Sequence, residues 1–98
     1  MKHLVEKLQA GEEVTTKLHG SSMKGFIENG DIVTIIPADV SQVLIGQAVL
    51  CKVKGRIYCH KVLKREKDQV LIANNRNHVN GWTSQVYGVV SKIEKPKN

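Results

Sequence analysis

The chain is poor in the residues that most often announce a function. Its 98 residues include one Trp, two Tyr and one Phe, so a core has to come from Val, Ile and Leu. No series of aromatics is present on which nucleic-acid bases would stack. Two cysteines, Cys51 and Cys59, are too few for the disulfide framework of a small secreted domain and are expected to be reduced. No apolar run approaches the ~18–20 residues of a membrane span. The N-terminus, Met1-Lys2-His3-Leu4-Val5-Glu6-Lys7-Leu8, places charges inside its apolar pattern and so has no signal-peptide core. The expectation is a soluble, cytoplasmic protein with no membrane partner. A two-lobed enzyme with separate cofactor and substrate domains is excluded by length, and no cofactor is expected.

At 41% hydrophobic, the chain can bury one modest core, which argues against disorder. Its formal charge of +6 is concentrated: Lys52, Lys54, Arg56, Lys61, Lys64, Arg65 and Lys67 stand against Glu66 alone within residues 52–67. The remainder is near neutral.

Met1, Leu4, Val5 and Leu8 recur at helical spacing, which predicts an N-terminal helix within residues 1–11 that Gly11 caps. Residues 14–18 are β-branched and run into His19-Gly20-Ser21-Ser22-Met23-Lys24-Gly25, a turn of small residues. Asn29-Gly30-Asp31 turns the chain into a strand over residues 32–36, which Pro37 closes. Residues 47–54 and 56–64 form a hairpin about Lys54-Gly55, and residues 69–73 and 86–93 add two strands. One helix and roughly six strands indicate a single, mainly β domain over residues 1–98, borderline α+β, as a coiled antiparallel sheet or partly open barrel. The asparagine-rich segment 74–82 is expected to be a polar loop, and residues 95–98 a flexible tail.

A serine in a glycine-flanked turn exposes its hydroxyl and aims nearby backbone N–H groups outward, which is the geometry of an oxyanion hole. Such turns are common, and a serine nucleophile also needs a base. Order along the chain is more informative: Gly20-x-Ser22-Met23, Gly30-Asp31-Ile32-Val33, Gly46-x-Ala48-Val49, Tyr58-Cys59-His60-Lys61-Val62, Ala73-Asn74-Asn75 and Tyr87-Gly88-Val89-Val90. In this order and at these spacings the segments resemble the S24/S26 serine peptidases, the superfamily that contains the C-terminal domain of the LexA repressor, UmuD-type proteins and the signal peptidases. The resemblance runs from about residue 14 to residue 94 and is closest to small, free-standing S24-like proteins. It implies a LexA- or signal-peptidase-like fold, a serine endopeptidase acting on a protein or peptide substrate through an acyl-enzyme, and a homodimer that pairs partly through C-terminal strands.

By this resemblance Ser22 is the nucleophile, the N–H groups of Ser21 and Ser22 line the oxyanion hole, Met23 lies beside it, and Gly30-Asp31 is a structural turn. The base in the repressor and bacterial signal-peptidase branches is a lysine on the second strand of the hairpin. An ungapped alignment puts His60 there. Lys61 comes one residue late and so on the opposite face of the strand. A Ser22–His60 pair is similar to that of the endoplasmic-reticulum-type signal peptidases. The exchange is chemically workable, because an imidazole titrates near neutrality whereas a lysine must first be desolvated. Histidine bases also want a partner on the second ring nitrogen. Where the histidine branch supplies an aspartate, this chain has Asn74 and Asn75, which with Arg76 and His78 are candidates for an orienting or substrate-binding loop. Gly25 departs from the signal-peptidase pattern, which has proline there.

Other readings stay open at this point. One is a catalytically inactive binding or regulatory module on the same fold. Another is a small nucleic-acid-associated regulator, with the 52–67 hairpin meeting phosphates; lysines that blunt sheet edges explain the same residues. A metal site among Cys51, Cys59, His60 and His78 is disfavoured, and none is expected. A two-residue turn at Lys54-Gly55 pairs Cys51 with Tyr58 and Cys59 with Leu50, which puts the thiols on opposite faces. Ala10-Gly11 matches the dipeptide at which the repressor branch cuts itself, but its place at the end of the helix reads as a cap.

Overall fold

The computed structural model describes residues 2–96. A helix, α1 (Lys2–Gln9), is followed by seven strands: β1 (Val14–Lys17), β2 (Ile32–Pro37), β3 (Ala48–Val53), β4 (Arg56–Arg65), β5 (Val70–Ala73), β6 (Val79–Thr83) and β7 (Val86–Glu94). A helix as short as α1 is marginal by itself. It persists because Leu4, Val5 and Leu8 are buried with Val14, Val33, Ile35 and Leu50. Gly11 ends it at φ +85, its N–H donating to Leu8 O at 3.0 Å, so Ala10-Gly11 is a helix terminus.

The strands form one antiparallel sheet in the order β1-β2-β7-β3-β4-β5-β6. Lys54 and Gly55 both take positive φ, 50° and 82°, the backbone of a two-residue hairpin turn. That turn sets the β3–β4 register, Leu50 opposite Cys59 and Cys51 opposite Tyr58. Strand β3 is apolar nearly throughout because both of its faces are covered. Ala48 and Leu50 join the core beneath α1, whereas Val49, Cys51 and Val53 join a second core with Val62, Val70, Ile72, Val86 and Val89. The two free thiols are therefore on opposite faces.

The sheet is coiled. Thr83 Oγ1, at the end of β6, donates to Lys52 O on β3 at 2.6 Å, and Lys52 N–H donates to Gln85 O at 2.9 Å. The last part of the sheet thus returns to β3, past β4 and β5.

Two expectations are corrected. Residues 79–82 of the expected 74–82 loop belong instead to strand β6, with Trp82 opposite Leu71 and, at its end, Thr83 opposite Val70. A composition that reads as turn is overridden there by cross-strand pairing and by the contact with β3. Lys95, expected in a flexible tail, is tied down, its Nζ 2.7 Å from Oδ2 of the buried Asp31. Residues 97–98 of that tail, and Met1 of the expected helix, lie outside the described residues. No helix among the described residues is long and apolar enough to cross a membrane.

Candidate active site

The serine turn follows β1 directly and is pinned at several points. Gly20, at φ +108, donates its N–H to Asn29 Oδ1 at 2.8 Å. Gly30 N–H reaches Leu18 O at 2.7 Å, and Leu18 N–H reaches Asp31 O at 2.9 Å, so the strands on either side of the turn close its base. Inside it, Lys24 N–H donates to Ser21 O at 3.1 Å and Ile27 N–H to Met23 O at 2.8 Å. Met23 and Ile27 are buried and anchor the turn in the α1 core, which leaves Ser21 and Ser22 exposed above it. Among the described residues, the N–H groups of Ser21, Ser22 and Met23 have no protein acceptor.

His60 enters from β4. By the alternation of strand side chains it shares a face with Tyr58 and Val62, and Lys61 takes the other. The imidazole is buried to 8% exposure, with the Tyr58 ring against it at 4.8 Å between centroids and 33° between planes. Its Nε2 is 3.0 Å from Ser22 Oγ, and its Nδ1 is 2.7 Å from Oδ1 of Asn80. A neutral imidazole protonated on Nδ1 donates to that amide oxygen and presents the Nε2 lone pair to the serine hydroxyl. This is the protonation pattern a general base needs.

Asn80 owes its position to a β-bulge. Ala73 on β5 faces Val79 and Ile72 faces Gly81, so Asn80 has no partner of its own across the pair. Bulges re-aim a side chain in this way, often beside active sites. Gly81 follows at φ +143, where a side chain would meet Val53 Cγ1 at 3.1 Å.

The orienting loop differs from expectation. Asn74 Oδ1 accepts the N–H groups of Arg76 and His78 at 2.9 and 3.0 Å, folding the loop on itself. Asn75 grips the serine turn, its N–H on Ser22 O and its Nδ2 on Lys24 O, both at 2.9 Å. Arg76 and His78 are exposed. The hydrogen bond to His60 Nδ1 comes instead from Asn80, which the sequence did not single out. Its only local signal is the Asn80-Gly81 pair, a dipeptide that favours turns and bulges alike. Gly25, where the signal-peptidase pattern has proline, lies at φ +96, which the proline ring forbids.

A cleft of about 100 Å³ opens beside the pair, lined by Leu18, Met23, Ile27, Ile57 and Cys59 as well as His19, Tyr58 and Glu28. Burial pushes the thiols of Cys59 and Cys51 up to about 12, so both are protonated at neutral pH and neither is a nucleophile or ready ligand. Among the described residues no group of three or more His, Cys, Asp or Glu is placed to hold a metal. The basic residues of 52–67 differ in their surroundings. Lys52 and Lys61 are half-buried, and Arg65 spends its guanidinium on the carbonyls of Val40, Ser41 and Val43. Arg56 and Arg65 lie at opposite ends of a ten-residue strand, about 30 Å apart.

Compared with known families, residues 3–85 match the model of peptidase S24-like domains. A search of curated proteins found no significant match.

Proposed function

We propose, because this chain belongs to the peptidase S24-like family, that it is a serine peptidase in which Ser22 is the nucleophile and His60 the general base. The observation that carries the reading is the 3.0 Å contact of Ser22 Oγ with His60 Nε2, backed by Asn80 on Nδ1. In the first step Ser22 Oγ attacks the carbonyl carbon of a peptide bond while its proton passes to Nε2. The oxyanion that forms is met by the free N–H groups of the serine turn. The C–N bond then breaks, the amine leaves with the proton from Nε2, and Ser22 holds the acyl group. A water molecule gives a proton to Nε2 and its oxygen to the acyl carbon, releasing the new carboxyl group and restoring the hydroxyl. The small cleft beside Ser22, apolar where Leu18, Met23, Ile27 and Ile57 line it, suits a substrate with a small apolar side chain next to the scissile bond.

A fluorophosphonate probe followed by intact mass tests the nucleophile. Wild type is expected to gain one adduct and Ser22→Ala none, with peptide hydrolysis lost in the same variant. Equal labelling of the two proteins would refute the assignment.

A further inference from the structure

The hydrogen bonds of Asn75 give it a role in the site different from orienting the histidine. One residue holds the turn on both sides of Met23, by its main-chain N–H on Ser22 O and by its side-chain Nδ2 on Lys24 O, each at 2.9 Å. In a planar trans peptide the C=O and N–H point in opposite directions. Fixing the Ser22 carbonyl on Asn75 therefore turns the Met23 N–H away from Asn75. The bond from Lys24 N–H to Ser21 O, 3.1 Å, fixes the preceding peptide unit and with it the direction of the Ser22 N–H. These two N–H groups have no acceptor among the described residues. The absence of a side chain at Gly25 leaves room for the amide, since a Cβ there would sit 3.1 Å from Asn75 Nδ2. Farther along the same segment, Asn80 holds His60 at 2.7 Å, and Asn74 folds the loop between the two contacts.

We infer that Asn75 is a positioning residue for the nucleophile, and that segment 74–80 is the element on which the pair is assembled, with Asn75 setting the Ser22 turn and Asn80 setting His60. The inference rests on the serine-peptidase reading above. Neither asparagine touches the reacting bond. Asn75 acts by fixing where Ser22 Oγ and the free N–H groups stand relative to each other, and a displacement of about 1 Å in such a constellation costs up to the order of 10²-fold in rate.

The test is the kinetics of Ser22 acylation by the fluorophosphonate probe in the full chain, read by intact mass as a rate constant and a final extent. Asn75→Asp keeps the volume and the main-chain N–H but puts an acceptor where Nδ2 donated to Lys24 O, and Asn75→Ala removes the donor. Both are expected to slow acylation by about tenfold or more while labelling still goes to completion. Asn75→Ser carries the same test if Asn75→Asp does not fold. A purely structural role would reduce the final extent, as unfolded chains drop out, and leave the rate constant of the folded fraction unchanged. That result overturns the inference, and so do variant rate constants equal to wild type. Absence of labelling in wild type overturns the peptidase reading and this inference together; labelled wild type with unaffected Asn75 variants overturns this inference alone.

Discussion

A neutral imidazole carries its proton on one nitrogen, and Asn80 Oδ1 at 2.7 Å from Nδ1 decides which one in His60. Asn80→Ala removes that choice. It is expected to slow acylation at every pH and to shift the imidazole ¹⁵N resonances of His60 away from the Nδ1–H tautomer; unchanged resonances would contradict the assigned role. Cys59 precedes His60 and lines the same cleft, yet burial holds its thiol near 12. Iodoacetamide at pH 8 should leave both cysteines unmodified in the native protein and alkylate both in denaturant. Rapid native alkylation of Cys59 would show that the cleft is more open than described.

The elements differ in how much of them could be read beforehand. The β3–β4 register was legible because a two-residue turn at Lys54-Gly55 leaves one pairing, and that pairing also puts His60 and Lys61 on opposite faces. The serine turn was legible from its glycines and from the Ser22-Met23 pattern it shares with a known superfamily. Strand β6 was not, since the asparagines that lead into it and its own Asn80-Gly81 read as turn, and its pairing depends on β5 and β3, contacts that no local pattern encodes. Asn80 was hidden for the same reason twice over: it lies in that strand, and the bulge breaks the two-residue alternation that would have assigned its face. Gly88 of β7 shows another element-scale constraint. A Cβ there would lie 2.7 Å from both Ile35 Cγ2 and Ile36 O, and 3.1 Å from Leu8 Cδ1. Backbone cannot yield as a flexible side chain can, so Gly88→Ala is expected to cost about 1–3 kcal/mol in denaturant unfolding. An unchanged midpoint would mean that β2 and β7 are less closely apposed than described.

At the scale of the molecule, the coiling of one sheet brings three distant stretches of chain to one place: the turn after β1, the middle of β4 and the bulge of β6. The basic residues of 52–67 that first suggested nucleic acid are divided among β3, its turn, β4 and the segment after it, with Arg65 committed to loop carbonyls. Lys95, just past β7, is fastened on Asp31, whose Oδ2 also accepts the Glu28 N–H at 2.7 Å. The Lys95 hydrogen bond, then the Glu28 N–H, hold the Asp31 carboxyl below its ordinary value near 3.8. A depressed carboxyl contributes its stability above the unfolded-state value and loses it as pH falls through the folded-state one. The difference in melting temperature between wild type and Asp31→Asn should therefore be present at neutral pH and shrink below about pH 4; a difference that does not change with pH would contradict the pairing. The central claim, that this fold exists to set His60 against Ser22 as a base, is tested most directly by the acylation rate of His60→Ala. The expected result is a folded protein labelled at least about 10²-fold more slowly than wild type. A folded His60→Ala protein acylated at the wild-type rate would contradict it.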